Sequence, residues 1–117
     1  SSSVSLLAAG WRVEIVGDAS VAIQRIAQRR YQLILTDVHM AGGGGDAVLR
    51  AARFGHGLNA HTPVVAVTAD TSPERRAACT RAGFNGLIEK PVRPRQLVAS
   101  LADILIQGVQ QKRAAGA

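Results

Sequence analysis

A carboxylate, a hydroxyl and an ammonium each stand just past a short apolar run in this chain, and together they could hold a phosphoryl group. Asp37 follows Leu33-Ile34-Leu35-Thr36, Thr68 follows Val64-Val65-Ala66-Val67, and Lys90 follows Gly86-Leu87-Ile88-Glu89. A carboxylate at a strand end can act as a nucleophile toward phosphorus. Phosphoryl transfer asks little covalent chemistry of a protein; it asks for positioning and for neutralisation of the oxygens. A threonine hydroxyl can donate a hydrogen bond to such an oxygen. A lysine ammonium is a compact charge suited to a phosphate. Lys90 precedes Pro91, and a cis X-Pro bond there would fix the direction of the lysine side chain. Singly, each residue has a plainer reading: Asp37 as a turn or helix cap, Thr68 as a strand-end turn residue, Lys90 as a solvated charge.

Other chemistries fit less well. The glycine run Gly42 to Gly45 lacks the Lys-Ser/Thr that a P-loop needs, and it has no dinucleotide spacing. His39, His56 and His61 fall in loop-like stretches without metal-site spacing. No His is paired with a Ser or Cys at strand ends, so a small α/β enzyme or nucleotide binder is disfavoured.

The elements that must position the three residues alternate between strand and helix. Val4 to Ala9 resembles a helix end closed by Gly10. Arg12 to Val16 alternates and is β-branched, which predicts a strand. Asp18 or Ser20 can cap a helix over Val21 to Gln28, with Val21, Ile23 and Ile26 as its apolar positions. Leu33 to Thr36 suits a strand buried on both faces. A loop over Val38 to Gly45 follows, then a helix capped by Asp46 and running through Arg53. Phe54 to Thr62 reads as loop and Val64 to Val67 as strand. Thr68 to Ser72 is a loop, and Pro73 opens a helix to Ala82 ended by Gly83. Gly86 to Glu89 is a short strand. A last helix starts near Pro94 and runs to about Gln107, with Leu97, Leu101, Ile104 and Leu105 as its stripe. This order predicts an α/β, doubly wound parallel sheet with helices on both faces. In such sheets ligands sit beyond the carboxyl ends of the strands, where all three residues fall.

The size is that of one domain: 117 residues, 47% hydrophobic and only 3% aromatic, so the core must be aliphatic. Residues 1–107 are read as the domain and 108–117 as a flexible tail. No apolar run reaches a membrane span, and the start lacks the pattern of a signal peptide. The single cysteine, Cys79, cannot form an internal disulfide, which fits a reducing, cytoplasmic setting; it reads as a packing residue. The net charge of +6 comes from scattered arginines. Without a basic run or aromatics for stacking, it points to a solvated surface rather than to nucleic acid.

Taken together, LILTDVHM, PVVAVTA and AGFNGLIEKPV resemble the three signature stretches of response-regulator receiver domains, the flavodoxin-like fold of CheY-like proteins. GWRVEIVGDASVAI resembles that family's second strand and second helix, so the likeness runs from Leu6 to about Leu105. The resemblance implies a phosphoacceptor at Asp37, a hydroxyl switch at Thr68 and a phosphate-pairing Lys90 beside a cis Pro91. It implies a small residue at Ala69 that leaves room for the phosphoryl group, and a loop-ending glycine at Gly45. It implies Mg²⁺ held by Asp37 and by the backbone carbonyl of His39. The donor would be a sensor histidine kinase or a histidine phosphotransfer protein. TADTSPERR and IEKPVRP look most like receivers attached to hybrid sensor kinases, whose kinase activity would lie outside this chain. No DNA-binding segment follows Leu105, so direct transcriptional output is not expected.

The chain also departs from the family. Receivers begin with a strand that ends in an acidic, Mg²⁺-holding pair and lies between the second and third strands. Here no acid precedes Glu14. The expectation is therefore an absent first strand with apolar edges on both its neighbours, because the sequence begins late or because another chain supplies the strand; if these residues are the whole molecule, a homodimer or a rearranged sheet with weak Mg²⁺ binding is expected. Leu87 stands where many receivers carry an aromatic switch residue. Ala41 replaces a usual proline, and the four glycines predict a mobile loop after Asp37. Leu87 and the missing acids leave an alternative: a pseudo-receiver that binds or regulates without phosphorylation.

Overall fold

The computed structural model describes residues 5–9, 12–38, 44–55, 57–93, 95, 98–99, 102–103 and 106. Five strands and three helices alternate along it: β1 (Ser5–Ala9), β2 (Arg12–Val16), α1 (Ala19–Gln28), β3 (Leu33–Asp37), α2 (Gly44–Phe54), β4 (Val64–Thr68), α3 (Pro73–Ala82) and β5 (Gly86–Glu89). The sheet order is β2-β1-β3-β4-β5. β3, β4 and β5 pair in parallel, and β1 runs antiparallel to both of its neighbours. It follows that β2 to β5 all point one way and only β1 opposes them.

The reading of Val4 to Ala9 as a helix end is therefore corrected, since Ser5–Ala9 is a strand. β1 fills the slot between the second strand and Asp37's strand, so the sheet is rearranged, one of the two arrangements expected if these residues are the whole molecule. The physical reason is tertiary. Leu and Ala have high helix propensity, but propensity is a small term that tertiary context overrides: two unpaired apolar edges would leave backbone groups without partners. β1 pairs along β2 from Ser5↔Val16 to Ala9↔Arg12 and along β3 from Ser5↔Thr36 to Ala8↔Leu33. Leu7, fully buried, sits across from Ile34.

Both faces of the sheet are covered. On one face Leu7, Ile34, Val64 and Ala66 pack with Ala22 and Ile26 of α1 and with Val48 and Leu49 of α2. On the other, Leu33, Leu35, Val65, Val67 and Ile88 form a second cluster. β3 and β4 are buried along their whole length, as their continuous apolar runs predict.

Two helix starts are fixed by the structure. Asp18, not Ser20, caps α1, accepting from the Ser20 N–H at 2.7 Å. Within α1 the buried positions are Ala19, Ala22 and Ile26, while Val21 is exposed. α2 begins at Gly44, so Asp46 lies in its first turn rather than at its cap, where it complements the helix dipole. Arg95, Val98, Ala99, Ala102, Asp103 and Ile106 are helical and exposed. The predicted stripe Leu97, Leu101, Ile104 and Leu105, the tail 108–117 and the loop residues 39–43 lie outside the described residues.

A polar cluster ties β2 to α1. Glu14 accepts from Arg25 at 3.0 Å, from Arg29 at 3.2 Å and from the Tyr31 hydroxyl at 2.8 Å. Burial, with the Glu14 carboxylate second, pushes the Tyr31 phenol from 10.0 up to about 12. A raised phenol pKa means that the unfolded chain ionises first, so stability falls as pH climbs from about 10 to about 12. Urea unfolding across that window is expected to show this decline, and Tyr31→Phe is expected to flatten it.

Candidate functional site

The carboxyl ends of β2, β3, β4 and β5 share one rim of the sheet. Strand register, rather than sequence proximity, assembles the site there. Asp37 is the last residue of β3 and pairs with Val67 of β4. Thr68, the last residue of β4, pairs with Glu89 of β5. The next residue, Lys90, donates its backbone N–H to the Thr68 carbonyl at 2.9 Å. The Lys90 ammonium forms an ion pair with the Asp37 carboxylate. Asp37 is 2% exposed, whereas a third of the Lys90 side chain meets solvent. An anion is thus held inside the rim and capped from the outer side by a cation.

Thr68 is buried, and its hydroxyl oxygen accepts from the Asp70 N–H at 3.1 Å. That bond uses a lone pair and leaves the O–H hydrogen as a donor. Asp70 in turn accepts from the Ser72 N–H at 3.0 Å. Hydrogen bonds from the Ser72 backbone and side chain hold its carboxyl below the ordinary aspartate range. Ser72 caps α3 by accepting from the Arg75 N–H at 3.3 Å. The β4–α3 turn is thereby locked, and Thr68 with it. The positioning role of Asp70 went unassigned in the sequence, although Asp-Thr-Ser-Pro is a legible turn-and-cap signature.

Ala69 follows Thr68 at the bend and is exposed at the rim. The Lys90–Pro91 peptide is cis. His39 lies outside the described residues. Leu87 lies in β5 and is half-buried against the main core.

Gly45 is shaped by the acceptor strand. A Cβ there would stand 2.9 Å from the Asp37 carbonyl oxygen and 3.2 Å from the Val38 Cα. Its N–H donates to the Val38 carbonyl at 3.4 Å. Gly45→Ala should gain about 1 kcal/mol from helix propensity if space allowed. The backbone contact reverses that sign, and a net loss of about 1–3 kcal/mol is expected from overpacking. Urea unfolding checks it.

The family resemblance implies Mg²⁺ at this rim. Mg²⁺ demands near-octahedral oxygen ligation. Among the described residues no group of three His, Cys, Asp or Glu lies close enough to hold a metal ion. Of the acids near the rim, Asp18 and Asp70 are engaged in caps and turns. The described residues thus bring one buried carboxylate, Asp37, to the rim and do not by themselves make a complete Mg²⁺ site.

Comparison with known proteins agrees with the architecture. The family "Response regulator receiver domain" matches residues 3–102. The sensory/regulatory protein RpfC of Xanthomonas campestris is 34% identical over 100 residues, covering 84% of this chain and 14% of RpfC. The sensor histidine kinase AruS of Pseudomonas aeruginosa is 35% identical over 96 residues, 81% of this chain and 10% of AruS. The chain therefore spans only about a tenth to a seventh of these relatives. Among solved structures, the chemotaxis protein CheY4 of Vibrio cholerae has a TM-score of 0.72 at 29% identity, covering 80% of this chain and 78% of that one. The receiver domain of the sensor histidine kinase PA1611 from Pseudomonas aeruginosa, solved with magnesium in its active-site cleft, has a TM-score of 0.64 at 28% identity, covering 74% and 70%. With the family model matching residues 3–102 and Asp37, Thr68 and Lys90 gathered at one rim, this chain belongs to the response-regulator receiver domains.

Proposed function

We propose that this domain accepts a phosphoryl group onto Asp37 from a phosphohistidine, carried by a sensor histidine kinase or a histidine phosphotransfer protein. The observation that carries the reading is the buried Asp37 carboxylate paired with the Lys90 ammonium at the rim shared with Thr68. In the transfer, an Asp37 carboxylate oxygen attacks phosphorus and the P–N bond of the phosphohistidine breaks. The imidazole nitrogen keeps the bonding pair and takes a proton from solvent. Lys90 then balances a phosphoryl oxygen instead of the carboxylate, and the Thr68 O–H turns to donate to another. Ala69, lacking a side chain beyond Cβ, leaves room at the rim.

Similarity to RpfC and AruS supports a setting in a hybrid sensor kinase, with catalytic kinase activity elsewhere in such a protein. In a Mg²⁺ site this domain's contribution would be the Asp37 carboxylate and the His39 carbonyl, and a polypeptide of these residues binds the ion weakly. No helix among the described residues is long and apolar enough to cross a membrane, which fits a cytoplasmic domain.

Incubation with a small-molecule phosphodonor and Mg²⁺, followed by intact mass, tests the proposal. One added phosphoryl group is expected on the parent and none on Asp37→Asn. An unmodified parent, or equal modification of both proteins, contradicts it.

A further inference from the structure

The groove between α2 and α3 carries two features that neither the core nor the phosphoryl site uses. The first is charge. Arg53 is half-buried, and its guanidinium donates to the Thr62 carbonyl at 2.7 Å and to Asn85 Oδ1 at 2.6 Å, both neutral acceptors. Arg50 lies one turn earlier on the same side of the helix. Among the described residues neither arginine forms an ion pair. Buried charges are ordinarily paired, and burial pulls Arg53 below the usual arginine range. The second feature is an exposed aromatic. Phe54 closes α2 with 84% of its surface in solvent, whereas the chain's other phenylalanine, Phe84, is buried. An exposed apolar residue alone means little. Phe54, however, lines a cavity of about 420 Å³ together with Leu49, Arg50, Arg53, Ala82 and Gly83.

That cavity continues along the helices. A second, of about 280 Å³, shares Asp46 and Ala82 with it and reaches Val38 and Cys79. α2 and α3 flank the groove without packing closely on each other, and Cys79 is the single buried residue of α3. The α3 wall is built from small residues, Ala78, Ala82 and Gly83, so a helical backbone can approach it closely. The groove follows α2, whose 11 residues span about 16 Å, or about three helical turns. Its length and its open, continuous shape suit a polypeptide segment better than a small molecule.

We infer that this groove docks an acidic amphipathic helix of a partner protein, its apolar side against Leu49 and Phe54 and its carboxylates over Arg50 and Arg53. A second copy of this chain is a poor occupant. Its net charge is +6, and none of α1, α2 and α3 holds more than one acid. Asp46 is the one acid among the described residues that line the groove, and it lies in the first turn of α2, whereas Arg53 lies in the last. The partner's carboxylates therefore belong at the Phe54 end. The docking does not rest on the phosphoacceptor reading.

The test uses the full chain and a fluorescent, alanine-based helical peptide with leucines along one face and glutamates beside them. A peptide with lysine for glutamate and one with the leucines dispersed serve as controls. In anisotropy titrations the acidic amphipathic peptide is expected to bind saturably, and less tightly as salt rises. It is expected to shift the amide resonances of Leu49, Phe54, Ala82 and Gly83 while those of Thr68 and Lys90 stay in place. Phe54→Ser and Arg50→Glu change exposed side chains, so both variants should keep the parent's urea midpoint; each is expected to weaken binding about tenfold. Absence of binding by the acidic peptide overturns the inference, as does equal binding by either control. Shifts confined to other surfaces, or unchanged affinity in both folded variants, overturn it as well. Saturable binding of benzoate at these amides without binding of the peptide would make the groove a small-anion site. A doubled mass of the chain alone, abolished by Phe54→Ser, would assign the groove to a second copy. Either result overturns the partner helix.

Discussion

Lys90→Met is expected to slow phosphoryl transfer to Asp37 by about 100-fold, the usual effect of deleting one preorganised charge-stabilising donor. The same substitution should lower stability by about 1–3 kcal/mol, because a buried carboxylate loses its charged partner. The reciprocal change, Asp37→Asn, should abolish transfer yet leave stability nearly unchanged or improved. The asymmetry follows from exposure. Asp37 is sealed within the sheet rim, whereas the Lys90 side chain keeps 36% of its surface in water and can move outward when its partner is neutralised. Breaking an ion pair is costly when it strands the buried member, and cheap when it releases the exposed one. Urea unfolding of both variants, with initial phosphorylation rates of Lys90→Met against the parent, reads both halves of the prediction. Equal destabilisation by the two substitutions would show that the pair is not organised in this way.

Asn59→Leu should have the largest effect on folding. The Asn59 side chain is buried, and it joins its own loop to the stretch from Ile26 to Tyr31, some thirty residues earlier in sequence. Its Oδ1 accepts from the Tyr31 N–H at 2.7 Å and from the Thr62 hydroxyl at 2.9 Å. Its Nδ2 donates to the carbonyls of Ile26 at 2.8 Å and Arg29 at 2.7 Å. The Thr62 hydroxyl lies within reach of the Tyr31 carbonyl as well, at 3.0 Å. Asn59 thus ends α1 and fixes where β3 begins. Leucine matches its size roughly but satisfies none of these groups. Two buried backbone groups and one part-buried one would lose a partner at about 1–3 kcal/mol each, so a loss of about 3–9 kcal/mol is expected. That approaches the whole stability of an ordinary domain. Urea unfolding with an unchanged slope should report it; a loss below about 1 kcal/mol would mean that water replaces the amide.

The strands that lead to Asp37, Thr68 and Lys90 were legible because their signal is local. Continuous apolar runs such as Leu33 to Thr36 and Val64 to Val67 fit only strands buried on both faces. Gly83 and Pro73 mark helix ends by backbone constraint alone. Ser5–Ala9 was not legible, because its conformation is decided by two edges contributed by residues up to Thr36. Asn59 was hidden for a similar reason: in sequence it is one polar residue in a Gly- and His-containing loop, and only the fold brings Ile26, Arg29 and Tyr31 to it. Val21 misled because one turn of apolar spacing does not say which side of a short helix meets the sheet. The packing face instead falls on Ala19, Ala22 and Ile26.

The claim on which everything else rests is that Asp37, Thr68 and Lys90 act on one phosphoryl group, and backbone amide NMR of the phosphorylated domain addresses it directly. Phosphorylation at Asp37 should move the amide resonances of Thr68, Ala69 and Lys90 together, while those around Asn59 at the opposite end of the sheet stay within their unmodified positions. Large shifts at Asp37 with Thr68 and Lys90 unmoved would contradict a shared site.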